Sequence, residues 1–496
     1  MTAWTPLLPS TLRARIALLL VLSMGFALRL LISPRAPIHA NNHGIHEIRV
    51  ILVNALSATG KSGPYGDTYF VIMNTVAALA GRSDHALFLL NIVLGAITPL
   101  GLFLLARALS FSQEAALLSA LLLCLSPAHV WLSGTESQMV MHLCLAMFGL
   151  SLLLAGLERS RPGLLWSATL LLTLASALHV ITIMLALVSI LFVVFGSMAS
   201  VRKASRGFAR QAALCLLAGA AYLLFHALSL DKGMLGKAGS RFDSAFTLSS
   251  NILWDPTLTP ALLAPLALIG FLAAWRYRPR LALLLSLVSL AIIPISFKIC
   301  ACRTDAIRYQ TPTQWVYYLL AAFPFSGLMP WPGFLRRKTL LLAAVIAAAI
   351  CAAPGLILLH AGDEEIQEYR FMRRAARDIP QGAGIRLPAS DPGNLLWTDF
   401  PDYIGGHALY RGTAPEAVAG GGFIYLGLDC YRRVNMETWP GLGTELRPEC
   451  RQVCKKKLIP VMAAELDAVP SRWGYQRRFW ALSAERPVIG IYRCGP

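Results

Sequence analysis

DHALFLLNIVLGAITPLGLFLLAR (Asp84–Arg107) carries no charge between its first and last residues. That is enough apolar chain to supply the ~20 residues a helix needs to cross a bilayer. Runs of this kind recur on both sides of it, separated by short basic punctuation. Eleven are expected, at about 14–33, 86–108, 114–132, 138–157, 163–179, 180–199, 210–229, 259–275, 281–297, 314–331 and 339–360. The fifth and sixth are separated only by the region around His179 and are read equally well as a re-entrant pair or a tight external turn. The composition agrees with a polytopic chain: 56% of the 496 residues are hydrophobic, only 14% are charged, and mean hydropathy is +0.59. Soluble chains carry roughly 25% charged residues, so disorder, a rod and an ordinary cytosolic enzyme are excluded.

The formal net charge of +18 is not spread evenly. Residues 1–360 hold 26 Lys and Arg against ten Asp and Glu, and the remainder holds 18 against 16. The excess therefore belongs to membrane loops, and no basic-aromatic stretch suited to nucleic acid appears. Lys and Arg beside a span are retained in the cytoplasm, which places the amino terminus inside. The cytoplasmic set then contains Arg13, Arg15, Arg107, Arg159, Arg161, Arg202, Lys203, Arg206, Arg210, Arg276, Arg278, Arg280, Arg336, Arg337 and Lys338. The first span is too long for a cleaved signal and lacks a small-x-small site, so it is expected to remain as an anchor. Eleven spans put the carboxyl terminus outside. Of the acids before residue 360, only Glu114 and Glu158 face inward, whereas Glu47, Asp67, Asp84, Glu136, Asp231, Asp243, Asp255 and Asp305 fall in or beside external loops. Acid-dependent chemistry is expected at the outer face.

The fold expected is an α-helical polytopic membrane module, residues 1–360, followed by a small external α/β domain, residues 361–496. In the latter, Ile366, Tyr369, Phe371, Met372 and Ala376 approximate a helical face. GFIYLGLDC (Gly422–Cys430) and PVIGIYRC (Pro487–Cys494) read as strands. Cys430, Cys450, Cys454 and Cys494 are an even set in an oxidising compartment, which predicts two disulfides among three connectivities, with zinc as the alternative. Cys124, Cys144, Cys215 and Cys351 lie in spans and read as small packing groups. Cys300 and Cys302 are left open between pairing elsewhere and free thiols.

The external loop at 34–84 is long, and long loops are usually functional or disordered. Ile45, Ile48, Ile51, Leu52, Ala55 and Leu56 mark an amphipathic helix lying along the membrane, and Tyr69 to Ala80 a second. His43, His46 and Glu47 share one helical face. They serve either as solubilising interfacial groups or as an acid with two histidines that orient it, bind substrate or ligate a metal.

These segments resemble the GT-C superfamily of integral-membrane glycosyltransferases, especially the branch of dolichyl-phosphate-mannose–protein mannosyltransferases and aminoarabinose transferases. The resemblance is carried by ALRLLIS (Ala27–Ser33), HEIRVILVNALSATG, TYFVIMNTVAALAGRSDHALFLLN, LSPAHVWLSGTESQ and the Arg308-Tyr309 pair in AIRYQTPTQWVYYLLAAF, and covers about residues 14–330. It implies a catalytic base in the first external loop. The family's Asp-Glu pair is His46-Glu47 here, so Glu47 inherits that role, and Glu136 stands where a second external acid is often found. Glu136 reads equally as a charge suited to a helix amino terminus. No Asp-x-Asp pair occurs in these loops, which argues against a metal-dependent oligosaccharyltransferase, and no cofactor is expected.

Such a reaction needs a base beside the acceptor, a held geometry and fixed cations for a departing lipid phosphate. Arg308, then Arg303, Lys298 and Arg49, are the candidate cations, and ordinary headgroup contact is their alternative. Tyr309 is either part of the donor site or an interfacial aromatic. His142, His179 and His226 sit in or beside spans, where ionisable groups are functional candidates; His179 is the one expected to bind substrate. Gly405-Gly406 and Gly420-Gly421-Gly422 read as turns. The partners implied are a polyprenyl-phosphate sugar donor, a lipid, glycan or protein acceptor, and membrane lipids. A transporter or flippase, and an inactive assembly protein, are the competing readings. Internal repeats and helices broken at the midplane, which a transporter would favour, are not found.

Overall fold

The structure, a computed structural model, describes residues 7–37, 51, 67–80, 84–178, 184–200, 214, 217–221, 258–297, 307–308, 310–327, 334–361 and 364–380. In the carboxy-terminal part it describes 383–387, 409–411, 422–427, 430, 432–433, 441–442, 450, 452–454, 457–465 and 488–495. The chain forms two compact units. One comprises Met1–Ser33 and Ala55–Ile357, the other Pro34–Asn54 and Leu358–Pro496.

The first unit is helical. Its described helices are α1 (Leu12–Ile32), α2 (Asp67–Leu79), α3 (Asp84–Ala108), α4 (Gln113–Leu125), α5 (Pro127–Ser133), α6 (Gln138–Arg159), α7 (Pro162–Ser176), α8 (Met184–Ser200), α9 (Leu263–Tyr277), α10 (Pro279–Phe297), α11 (Trp315–Ala322) and α12 (Phe334–Ala361). Among the described residues, four helices are long and apolar enough to cross a membrane unaided, and the bent pair α4–α5 makes a fifth. Shorter apolar helices accompany them. The exposed sides of α1 and α12, with Leu12, Leu19, Leu31, Ile350 and Ile357 turned outward, suit contact with lipid.

Helices approach closely where a glycine removes the side chain between them. A Cβ at Gly149 or Gly156 of α6 would meet Leu172 at 2.7 Å or Leu165 at 2.8 Å of α7, and one at Gly101 of α3 would meet Met147 at 2.8 Å. Gly95 of α3 faces Ser133 and Arg29: an added Cβ would lie 2.7 Å from the Ser133 Cβ and 3.1 Å from the Arg29 Nε.

The third hydrophobic run, expected as one straight span, is instead bent by 62° between α4 and α5. Pro127 has no N–H to continue the ladder, and its ring drives the preceding residue out of the helical region. Ser126 accordingly sits at φ −65°, ψ 115°, and its Oγ accepts from the His129 N–H at 3.5 Å, restarting the helix.

One end of this unit gathers turns expected in the cytoplasm. Arg337 donates to Ser112 Oγ at 2.8 Å and to the Phe325 carbonyl at 2.5 Å, and stands 3.6 Å from Glu114. Arg107 donates to the Phe111 carbonyl at 2.5 Å. Gln113 donates to Ser10 Oγ at 2.5 Å.

In the second unit, α13 (Glu364–Asp378) buries Ile366, Tyr369, Phe371, Met372 and Ala375; Ala376, expected on that face, lies outside the described side chains. Five strands form a mixed sheet in the order β2 (Leu409–Arg411), β1 (Ile385–Leu387), β3 (Phe423–Leu426), β7 (Val488–Cys494), β6 (Leu458–Glu465). The first three run parallel, and β7 is antiparallel to both its neighbours. A separate short ribbon pairs β4 (Arg432–Arg433) with β5 (Gly441–Leu442). Both strands read from the sequence, β3 and β7, occupy the centre of the sheet. Helix α13 reaches that sheet through Glu368, which accepts from the Tyr425 hydroxyl at 2.5 Å. Disulfides join Cys430 to Cys450 and Cys454 to Cys494, with Cα separations of 5.8 and 5.7 Å. This pairing decides among the three connectivities and replaces the zinc alternative. The bridges enclose a cluster of Ile424, Leu426 and Val453.

Candidate functional site in the membrane unit

The bend after Ser126 turns α5 back into the bundle, so the segment from His129 to Gln138 is buried throughout. This segment collects polar groups from four directions. From α1, Arg29, 0% exposed, donates to the Gly25 carbonyl at 2.8 Å, to Ser133 Oγ at 3.3 Å and to His129 Nδ1. An arginine cannot accept a hydrogen bond, so the His129 Nδ1 must, which leaves the ring proton on Nε2. No carboxylate among the described residues pairs with Arg29; neutral acceptors compensate its burial.

From α3, the Asn91 amide donates to the Thr135 carbonyl at 2.7 Å and to the Ser137 carbonyl at 3.1 Å. From α2, the Tyr69 hydroxyl donates to the Glu136 carbonyl between them. Within the turn, Thr135 Oγ1 donates to the Leu132 carbonyl at 2.8 Å and accepts from the Ser137 N–H at 3.2 Å. Glu136, itself 0% exposed, thus rides on a turn whose backbone is fixed residue by residue. Ser137 then caps α6, accepting from the Met139 N–H at 3.4 Å. The expectation that Glu136 stands at a helix amino terminus and the expectation that it belongs to a site describe the same place.

From the fourth direction comes Arg308, 1% exposed, in the helical pair Ile307–Arg308. Its Nη2 donates to Gln138 Oε1 at 3.1 Å. Behind it, Gln314 donates to Thr259 Oγ1 at 3.2 Å and accepts from the Tyr318 hydroxyl at 3.1 Å. A buried acid and a buried guanidinium are therefore attached to residues two apart in the chain. Buried charges cost several kcal/mol each unless paired or hydrogen-bonded, and in membrane spans they mark function by default.

Of the residues singled out from the sequence, the structure buries Glu136 and Arg308 along this one segment, Arg308 through Gln138. His43, His46, Glu47, Arg49, His179, Lys298, Arg303 and Tyr309 lie outside the described residues, as do His226, Cys215, Cys300 and Cys302. His142 is buried with Nδ1 3.1 Å from the Ala175 carbonyl, the neutral packing role open to it. Among the described residues no three His, Cys, Asp or Glu side chains cluster as a metal site would require. Arg29 and His129 carried no assignment, although both stand in segments that resemble the family. The available signal was a lone arginine within an apolar span and a histidine two residues after a helix-breaking proline.

Residues 68–229 match the family of dolichyl-phosphate-mannose-protein mannosyltransferases. No curated protein matches the sequence. Among solved structures, ArnT from Cupriavidus metallidurans in the apo state is 13% identical, with 97% of this chain and 98% of that one covered and a TM-score of 0.54. The same protein bound to undecaprenyl phosphate gives 13%, 83%, 88% and 0.51. Arabinofuranosyltransferase AftD from Mycobacteria is 14% identical, covering 97% of this chain and 40% of that one, with a TM-score of 0.53. The chain spans 62–65% of the length of the oligosaccharyltransferase of Archaeoglobus fulgidus that it also matches.

Proposed function

From a chain whose fold is that of the GT-C superfamily, we infer a membrane glycosyltransferase. It moves a sugar from a polyprenyl-phosphate donor to an acceptor hydroxyl or amine at the outer face of a bacterial inner membrane, with the amino terminus cytoplasmic. The observation that carries the reading is the burial of Glu136, on a turn held from α2 and α3, and of Arg308, which donates to Gln138 two residues further on. ArnT, similar in fold, has been captured with undecaprenyl phosphate, a lipid of the class required.

In this reaction the acceptor oxygen or nitrogen forms a bond to the anomeric carbon as the bond from that carbon to the phosphate oxygen breaks. The electron pair leaves with the phosphate, and polyprenyl phosphate departs as an anion. Arg308 stabilises that anion, because a fixed cation in a dry site costs no reorganisation as charge develops; Arg303, Lys298 and Arg49 supply further positive charge. Glu47 takes the acceptor proton, with His43 and His46 orienting it. Glu136 accepts a hydrogen bond from a hydroxyl of the reacting sugar or acceptor, and His179 and Tyr309 border the substrate.

The test is transfer from a panel of radiolabelled polyprenyl-phosphate sugars by the purified chain in detergent, beside Glu47→Gln. Transfer should fall by about 100- to 10,000-fold in the variant, the usual contribution of a positioned base, with donor affinity retained. Passage of the lipid across a bilayer without any transferred sugar would show a flippase instead, and near-normal turnover of Glu47→Gln would move the base to Glu136.

A further inference from the structure

We propose that Tyr69 and Asn91 are positioning residues that hold the Glu136 carboxylate in register with Arg308 by gripping three consecutive backbone carbonyls from two different helices. This rests on the reading of Glu136 as an acid of the transfer site.

The geometry is unusual in how completely it specifies one turn. Asn91 takes the carbonyls of Thr135 and Ser137 with a single amide group, at 2.7 and 3.1 Å, and the Tyr69 hydroxyl takes the carbonyl of Glu136 between them. Asn91 and Tyr69 are both 0% exposed. Buried carbonyls do require partners, and solvation of the turn accounts for some contact of this kind. It does not require that two side chains, 22 positions apart and on separate helices, converge on the residue that bears the buried acid. The next link repeats the pattern: Gln138, two residues on, accepts from Arg308. The backbone that carries the acid and the residue that holds the cation therefore belong to one anchored segment, and a displacement of about 1 Å in such a site can cost about 100-fold in rate.

Helix α2 thereby acquires a function. Its buried stripe of Tyr69, Phe70, Met73 and Ala77 packs it against the bundle, while Val71 and Leu79 remain exposed at 58% and 85%. It is an apolar helix whose buried face ends in the hydroxyl that fixes the Glu136 carbonyl. The Tyr69 hydroxyl meets the backbone of the turn, not the reacting groups, and acts on the reaction through Glu136.

The experiment compares Tyr69→Phe, Asn91→Ser, Glu136→Gln and the two double variants that combine Glu136→Gln with each of the others. Glu136→Gln should lower kcat by about 10- to 100-fold, the loss of a hydrogen bond to a charged group. Tyr69→Phe and Asn91→Ser should each lower kcat by about tenfold with the donor KM within about twofold. In the Glu136→Gln background neither should lower it further, because there is then no carboxylate to position. A purely structural role would instead give losses that multiply, or losses that follow the melting midpoint, and would overturn the proposal. If Glu136→Gln impairs transfer while Tyr69→Phe and Asn91→Ser turn over normally, the site reading stands and the positioning falls. A readout that needs no turnover covers the case in which no donor is transferred. Labelling of Glu136 by a hydrophobic carbodiimide, followed by peptide mass spectrometry, should be several-fold faster in Tyr69→Phe than in the parent chain. Equal labelling rates would overturn the proposal independently of any activity.

Discussion

The two ends of the membrane unit use the same side chain for opposite purposes. At one end Arg107 and Arg337 tie off the carbonyls of Phe111 and Phe325 where helices turn, and Arg337 is 22% exposed beside a Glu114 that is 56% exposed. Water shares the cost of those charges, so they act as fasteners of modest strength. At the other end Arg29 and Arg308 are 0% and 1% exposed, and their partners include Ser133, His129, Gln138 and backbone. Fastening turns does not require that a guanidinium be stripped of water. On the function proposed above, charge at the second end is held for what it does, since a neutral hydrogen-bonding residue would close the same turns with less desolvation.

The contrast can be broken most directly at Arg308. Arg308→Ala should lower transfer by about 100- to 1,000-fold, in the range for loss of one preorganised electrostatic donor, and weaken donor binding as well. A variant that binds and transfers like the parent would reduce Arg308 to another fastener. An intermediate effect of a different kind is expected in the second unit, whose geometry is fixed covalently. Replacing Cys454 and Cys494 by Ser should lower the stability of that unit by about 2 to 5 kcal/mol, read by denaturant melting of the full chain with a probe in β7. An unchanged midpoint would mean that the sheet holds Cys494 without the bridge. The smallest effect belongs to the exposed end. Arg337→Ala should cost about 1 kcal/mol or less and leave kcat within about twofold; a large loss of transfer there would erase the distinction between the two ends.

Much of this architecture could be read before any coordinate. The apolar runs anticipate the helices to within a few residues at α1, α3, α6 and α7, because length and hydropathy alone decide a membrane span. Strands β3 and β7 were legible from β-branched and aromatic residues bounded by Gly and Pro. The bend at Ser126–Pro127 was not read, although its cause is local, because the apolar pattern continues through the break. The partnership of Asn91 with Thr135 and Ser137 could not be read at all. Asn91 lies in a span of otherwise apolar residues, and which turn it meets depends on how α3 packs against α6, a long-range matter without a short-range signature. The same holds for the choice among three disulfide connectivities. Glu136 is visible as an acid in an external loop, but a single acid before a helix has two ordinary explanations, and its burial and the side chains that converge on its turn are long-range features no local pattern announces.

The pairing of Arg29 with His129 and Ser133 also sets an order of events during synthesis. The partners lie 100 and 104 residues further along the chain. At about 5 to 20 residues per second, roughly 5 to 20 s pass between the emergence of the arginine and that of the groups that will hold it. Arg29 lies three residues from the end of α1, close enough for its long side chain to reach the interfacial water in the interval. The first span can thus enter the bilayer before its buried partners exist, and the contacts of Arg29 can close only once the bend at Ser126–Pro127 has delivered His129.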